Sequence, residues 1–110
     1  RVEQVIVNLL RNAIDAVRDR EDPCIELYLT SGDTALLTVR DNGTGITDLD
    51  QLFEPFYTTK APGDGTGLGL AISSGIVADL GGRLTARNGR SGGAVFEMQL
   101  PLRESLEAAE

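Results

Sequence analysis

Three short stretches of this chain carry residue types that could do chemistry. Asn8 and Asn12 stand one helical turn apart in "NLLRNAIDAV". Asp41 opens "DNGTGIT", and Gly63, Gly65, Gly67 and Gly69 alternate through "GDGTGLGLAIS". Two side-chain amides at i and i+4 share a helix face and could ligate a bound group. Asparagine is a poor helix former because its side chain competes for backbone hydrogen bonds, so its use here invites a reason beyond solvation. Most polar stripes are nonetheless plain solvated faces. A carboxylate that continues an inward-facing series is costly unless it meets a donor, and the competing reading of Asp41 is a strand-ending Asp-Asn-Gly turn. Glycine loses more backbone freedom on folding than any other residue. Four in seven residues imply unusual dihedrals, close approach of a ligand, or free movement. Glycines before a helix start let backbone N–H groups reach an anion; a flexible hinge would explain one or two of them.

The elements that must position these residues follow from polarity patterns. Residues 2–19 predict an amphipathic helix with Val2, Ile6, Leu9, Ala13, Ala16 and Val17 on one face and Asn8, Asn12, Asp15 and Asp19 opposite. "CIELYLT" and "ALLTVR" alternate around Ser31-Gly32-Asp33-Thr34 and predict a hairpin. Ala35, Leu37, Val39 and then Asp41 share its inner face by the period of two. Residues 48–65 predict a short helical turn and then a lid-like loop holding Phe53, Phe56 and Tyr57. Residues 68–82 are apolar almost all round and predict a buried helix, with Gly81 suited to a left-handed cap. "RLTARN" and "GAVFEMQLP" predict a second hairpin, with Leu84, Ala86, Phe96, Met98 and Leu100 inward. Hairpins segregated from helices predict an α+β two-layer sandwich rather than an alternating βαβ fold.

Composition narrows the partners. The 110 residues suit one domain, with 41% hydrophobic residues and a net charge of -7. That charge argues against a nucleic-acid surface, and a polyphosphate ligand would need a cation such as Mg²⁺. Cys24 is the only cysteine and histidine is absent, so neither an internal disulfide nor a cysteine-based zinc site is expected. No signal peptide is expected from these residues, and no run of eighteen apolar residues occurs among them. The chain does not begin with Met, as expected of a fragment. Residues 1–101 are expected to form the domain and residues 102–110 a polar tail. The glycine-rich stretch is neither a P-loop nor a G-x-G-x-x-G fingerprint.

The order of the motifs is more specific than any one of them. Asn-x-x-x-Asn-Ala on a helix, Asp-x-Gly-x-Gly after a strand, Phe-Glu-Pro-Phe in a loop and Gly-x-Gly-x-Gly before a helix follow in turn. In these the chain closely resembles the ATP-binding catalytic domain of sensor histidine kinases, in the superfamily that includes gyrase B, MutL and the ninety-kilodalton heat-shock chaperones. The likeness covers residues 1–101 and is nearest to nitrogen-regulation and C4-dicarboxylate sensors, in "NLLRNAIDAV", "FEPFYTTKAPGDGTGLGLAIS" and "GGAVFEMQLP". It implies a Bergerat-type α/β sandwich with a mixed, mostly antiparallel sheet and about three helices on one face.

The resemblance also implies roles. Asn12 would coordinate Mg²⁺, with Asn8 lining the same catalytic site. Asp41 would accept a hydrogen bond from the adenine amino group, and Gly43, Gly45 and Ile46 would lie along the purine. Phe53 and Phe56 would anchor the lid, with Thr58, Thr59 and Lys60 near its start. Gly65, Thr66, Gly67, Leu68, Gly69 and Leu70 would wrap the phosphates of ATP. The γ-phosphate would pass to a histidine of a separate dimerisation domain and then to the receiver domain of a response regulator. The domain would be cytoplasmic, in a homodimeric parent kinase of a kind that can sit in the inner membrane.

Three positions depart from the family pattern. Asp15 stands where many members carry a phosphate-contacting Lys or Arg, leaving Arg11 or Lys60 as substitutes. Ala94 stands where many carry Thr. Asn8 stands where the superfamily's ATPases carry a catalytic Glu, and an amide is no general base. That favours phosphoryl transfer over hydrolysis. Rival readings are an ATPase clamp, disfavoured by Asn8; a serine kinase of the anti-sigma type; and a degenerate domain without nucleotide, disfavoured by the intact Asn12, Asp41 and glycines.

Overall fold

A computed structural model describes residues 1–55 and 68–102. Two helices, α1 (Val2–Ala16) and α2 (Gly69–Asp79), lie on one face of a four-stranded sheet. Its strands are β1 (Ile25–Ser31), β2 (Thr34–Asp41), β3 (Arg83–Asn88) and β4 (Ala94–Pro101). The spatial order is β1-β2-β4-β3, and every pair is antiparallel. The α+β two-layer sandwich is therefore as expected. A mixed sheet and about three helices were expected; the described residues hold an antiparallel sheet and two helices.

Helix α1 is shorter than the polarity pattern suggests, with turns following Ala16. Val5, Leu9 and Ala13 are its fully buried residues, followed by Val17, and Val2 and Ile6 pack at the margin. Val5 escaped the sequence assignment because the true stripe runs at i, i+4 steps, slightly rotated from the expected face. These side chains meet Val39 of β2, Ile76 and Val77 of α2, Leu84 of β3, and Ala94, Phe96 and Met98 of β4. Each large apolar side chain so buried contributes about 2 kcal/mol.

The strand registers place the expected inward residues together. Leu84 faces Met98, Ala86 faces Phe96, and Val39 faces Phe96 across the central pair. Asp41 follows Val39 on that face and is 4% exposed. Strand β1 is an edge, and the helices leave its inner face open: Leu27 and Leu29 are 48% and 72% exposed. On the outer face Tyr28 donates its hydroxyl to Glu26 (2.7 Å), which holds the phenol above its ordinary pKa.

The apolar composition of α2 predicts burial all round, but only Ser73, Ile76 and Val77 are fully buried, and Ile72 is exposed. A two-layer architecture covers a helix on the sheet side alone, so composition overstates burial here. The helix ends in paired bonds, Gly82 N–H to the Val77 carbonyl and Gly81 N–H to that of Ala78, with Gly81 at φ 81°. Arg1 reaches Asp79 at 3.0 Å, so the start of α1 lies beside the end of α2. This exposed ion pair contributes little.

Candidate functional site

Asp41 sits at the end of β2, where its carboxylate turns inward among apolar neighbours. Its Oδ1 accepts two backbone hydrogen bonds, from Gly43 N–H at 2.9 Å and Ala94 N–H at 3.3 Å. Among the described residues nothing donates to Oδ2. The carboxylate is thus oriented by one oxygen and keeps the other as an acceptor for an incoming N–H. Ala94 lacks a hydroxyl, yet its backbone supplies a donor at the same carboxylate.

The loop after Asp41 is pressed close to its surroundings. A Cβ on Gly43 would lie 2.3 Å from the Ala16 carbonyl oxygen, so the chain there passes against the end of α1. Arg20 donates to the Gly43 carbonyl (2.8 Å). Asn42 spans to the α1–β1 connection, accepting from Cys24 N–H (2.9 Å) and donating to the Asp22 carbonyl (2.7 Å). Ile46 is held through both its backbone groups by Asn88, at 2.6 and 3.1 Å. Ile46, Leu52 and Phe53 are partly buried and pack against the core.

The two helix asparagines have different fates. Asn8 donates through Nδ2 to Ser73 Oγ at 3.0 Å, with the Gly69 carbonyl at 3.4 Å. This ties α1 to the first turn of α2. Ser73 is fully buried, so its hydroxyl needs this partner. Ser73→Ala is expected to lower stability by about 1 kcal/mol, measured by urea denaturation. The side chain of Asn12, half-buried one turn further on, makes no hydrogen bond to another described residue. Its amide oxygen is available to a ligand. Among the described residues no cluster of three His, Cys, Asp or Glu could hold a metal. A cation here would therefore rest on neutral amide oxygen and on its ligand's own phosphates. Mg²⁺ fits that donor set, since it retains waters and shares its shell with phosphate oxygens.

Asp15, at the departing position, is ion-paired with Arg18 at 2.6 Å. Leu68 precedes α2 and Gly69 opens it, with no side-chain cap and no acidic residue in the first turn. Leu70 packs at the core margin. The structure thus brings Asn8 against Gly69 and sets Asp41, at the end of β2, beside Gly43, Gly45 and Ile46 of the loop that follows. Phe56, Thr58, Thr59, Lys60, Gly65, Thr66 and Gly67 lie outside the described residues. A groove of about 470 Å³ lies on the outer sheet face, lined by Thr30, Asp33, Arg83, Thr85 and Glu97 among others, and holds none of the expected site residues.

Sequence reasoning missed Asn88, Arg20 and Asn42. An asparagine ending a strand was the available signal for Asn88, because strands are depleted in that residue. Arg20 had none, since an arginine after a helix usually faces water.

Residues 1–104 match the family described as histidine kinase-, DNA gyrase B-, and HSP90-like ATPase. The chain is 44% identical to the two-component sensor PprA of Pseudomonas aeruginosa, over 98% of this chain and 12% of that protein. It is 48% identical to the C4-dicarboxylate transport sensor DctB of Rhizobium meliloti, over 84% of this chain and 15% of that protein. It therefore spans under a fifth of these relatives. The catalytic domain of the histidine kinase ThkA, in a nucleotide-free form, superimposes with a TM-score of 0.78 at 33% identity, covering 92% of this chain and 67% of that one. Full-length ShkA in complex with AMPPNP gives 0.72 at 31%, covering 92% and 21%.

Proposed function

This chain belongs to the histidine kinase-, DNA gyrase B-, and HSP90-like ATPase family, and from that premise we propose that residues 1–101 are the ATP-binding catalytic domain of a two-component sensor histidine kinase. The observation that carries the reading is Asp41. A buried carboxylate fixed through Oδ1 by two backbone amides, with Oδ2 as acceptor, suits the amino edge of adenine. Similarity to sensor kinases, and to a kinase solved with an ATP analogue, supports it.

The residues divide the work. Asp41 selects and orients the base, while Gly43, Gly45 and Ile46 present backbone along it. The start of α2, which has no side-chain cap, would turn its positive dipole end toward phosphate oxygens. Asn12 would hold Mg²⁺ together with the phosphates, and the ion would supply charge neutralisation to the transferring phosphoryl group. Asn8 cannot take a proton from water, so the site is poorly suited to hydrolysis. The acceptor would be the lone pair of a neutral imidazole nitrogen: it bonds to the γ-phosphorus as the bond to the ADP oxygen breaks, and the proton on the other ring nitrogen passes to solvent. The 110 residues hold no histidine, so the acceptor lies outside them. We assign it to the parent's dimerisation domain, with a response-regulator receiver as the next acceptor. No described helix is long and apolar enough to cross a membrane; we place the domain in the cytoplasm, in a homodimeric parent.

Calorimetric titration with a non-hydrolysable ATP analogue tests the nucleotide site. Binding is expected to tighten with Mg²⁺, and Asn12→Ala to lose about tenfold of that increment while metal-free binding persists. Absence of binding in a folded sample would sink the reading. In a longer chain that carries the acceptor, acid-labile phosphate marks histidine. Acid-stable phosphate marks serine and overturns the histidine assignment.

A further inference from the structure

We propose that Asn88 is a positioning residue for the purine-lining loop, acting through the backbone of Ile46; the inference rests on the nucleotide reading above. Asn88 ends the edge strand β3, directly across from Ala94. Its side-chain amide is a planar donor–acceptor pair with the shape of a peptide group. Oδ1 accepts from Ile46 N–H at 2.6 Å, and Nδ2 donates to the Ile46 carbonyl at 3.1 Å. One side chain thereby makes with Ile46 the two bonds that a paired strand residue would make. Gly45 lies against the same amide: a Cβ there would stand 3.0 Å from Asn88 Oδ1.

The loop's other end is fixed separately. Asp41 Oδ1 takes Gly43 N–H, and Arg20 takes the Gly43 carbonyl. Asn88 is therefore the far anchor of a segment clamped at both ends. It is exposed, and it is not among the residues that build the core. Its two bonds act on the loop alone, and their effect falls on ligand binding. A loop already held in its bound shape meets a ligand without first losing backbone freedom. Freeing one or two residues would weaken binding about tenfold.

The test compares wild type with Asn88→Ala and Asn88→Asp in the full chain. AMPPNP with Mg²⁺ is the probe, read by calorimetry together with melting temperature and amide hydrogen exchange at Ile46. Asn88→Ala is expected to weaken AMPPNP about tenfold, to speed Ile46 exchange, and to leave the melting temperature within about 3 °C of wild type. Aspartate keeps the acceptor for Ile46 N–H but sets a second acceptor against its carbonyl, so it is expected to slow Ile46 exchange relative to alanine without restoring AMPPNP affinity. Wild type that binds AMPPNP beside an alanine variant that binds equally tightly overturns this inference alone. A fall in melting temperature as large as that of a core substitution overturns it too, because Asn88 would then be structural. Wild type that binds no nucleotide overturns the reading of the site itself.

Discussion

Asp41→Asn is expected to weaken an adenine nucleotide by about 100-fold while the chain stays folded. The asparagine oxygen can still accept from Gly43 and Ala94, the two amides that orient the carboxylate at 2.9 and 3.3 Å. The amide NH₂ then occupies the Oδ2 position. A donor there faces the donor amino group of adenine. One charge-assisted hydrogen bond is lost and two donors are left opposed, together about 3 kcal/mol. A guanine nucleotide presents a carbonyl at that edge, so the substitution should also shift preference away from adenine toward guanine. Titration of both nucleotides checks this, with the melting temperature held within about 5 °C as the folding control. Equal adenine affinity in wild type and variant would remove Asp41 from the site.

Gly93→Ala should strike the fold itself, lowering stability by about 4 kcal/mol. Gly93 has φ 73°, and a Cβ there would lie 1.9 Å from the Asp41 carbonyl oxygen and 2.9 Å from the Asn42 Cα. Both neighbours are backbone, so no side chain can swing aside. Relief requires the start of β4 to move off the end of β2, which opens the Ala94-to-Asp41 bond. Stability totals about 5–15 kcal/mol for domains of this size, and the melting point is expected to fall roughly 20 °C. Gly92→Ala is the control: its φ is 100°, but its Cβ would meet nothing within 4 Å. It should cost about 1 kcal/mol. Equal effects at the two positions would show that dihedral preference, and not the close approach, dominates.

The fold was largely legible because its signals are periodic. Alternation in "ALLTVR" and "VFEMQL" set the inner faces, and the same parity carried Asp41 into the core. The rotated face of α1, with Val5 at its centre, shows how little angular precision a stripe of mixed Val, Leu and Ala holds. Helix α2 misled for a different reason. Its residues are apolar almost all round, but a two-layer fold covers only the side that faces the sheet, and Ile72 stays exposed. In the proposed site, residue types singled out Asp41 and Asn12 as candidates. Contacts between loop backbone and distant side chains had no local pattern. Asn88 reaches back from β3 to Ile46, and Arg20 forward to Gly43. Pairings of that kind become visible only when the strands are assembled.

The position of β4 bears on how the protein is born. It is the last of the described strands, yet it lies between β2 and β3 and pairs with both; Thr34 faces Pro101. A nascent chain leaving the ribosome can close the β1–β2 hairpin early, but β3 has no neighbour until β4 is made. Until then the apolar faces of β2, β3 and both helices have no common floor. The sheet therefore zips shut only once β4 has emerged rather than growing strand by strand, and long-range closure of this kind is slow. During that interval the unfinished domain is the state most in need of a chaperone's shelter.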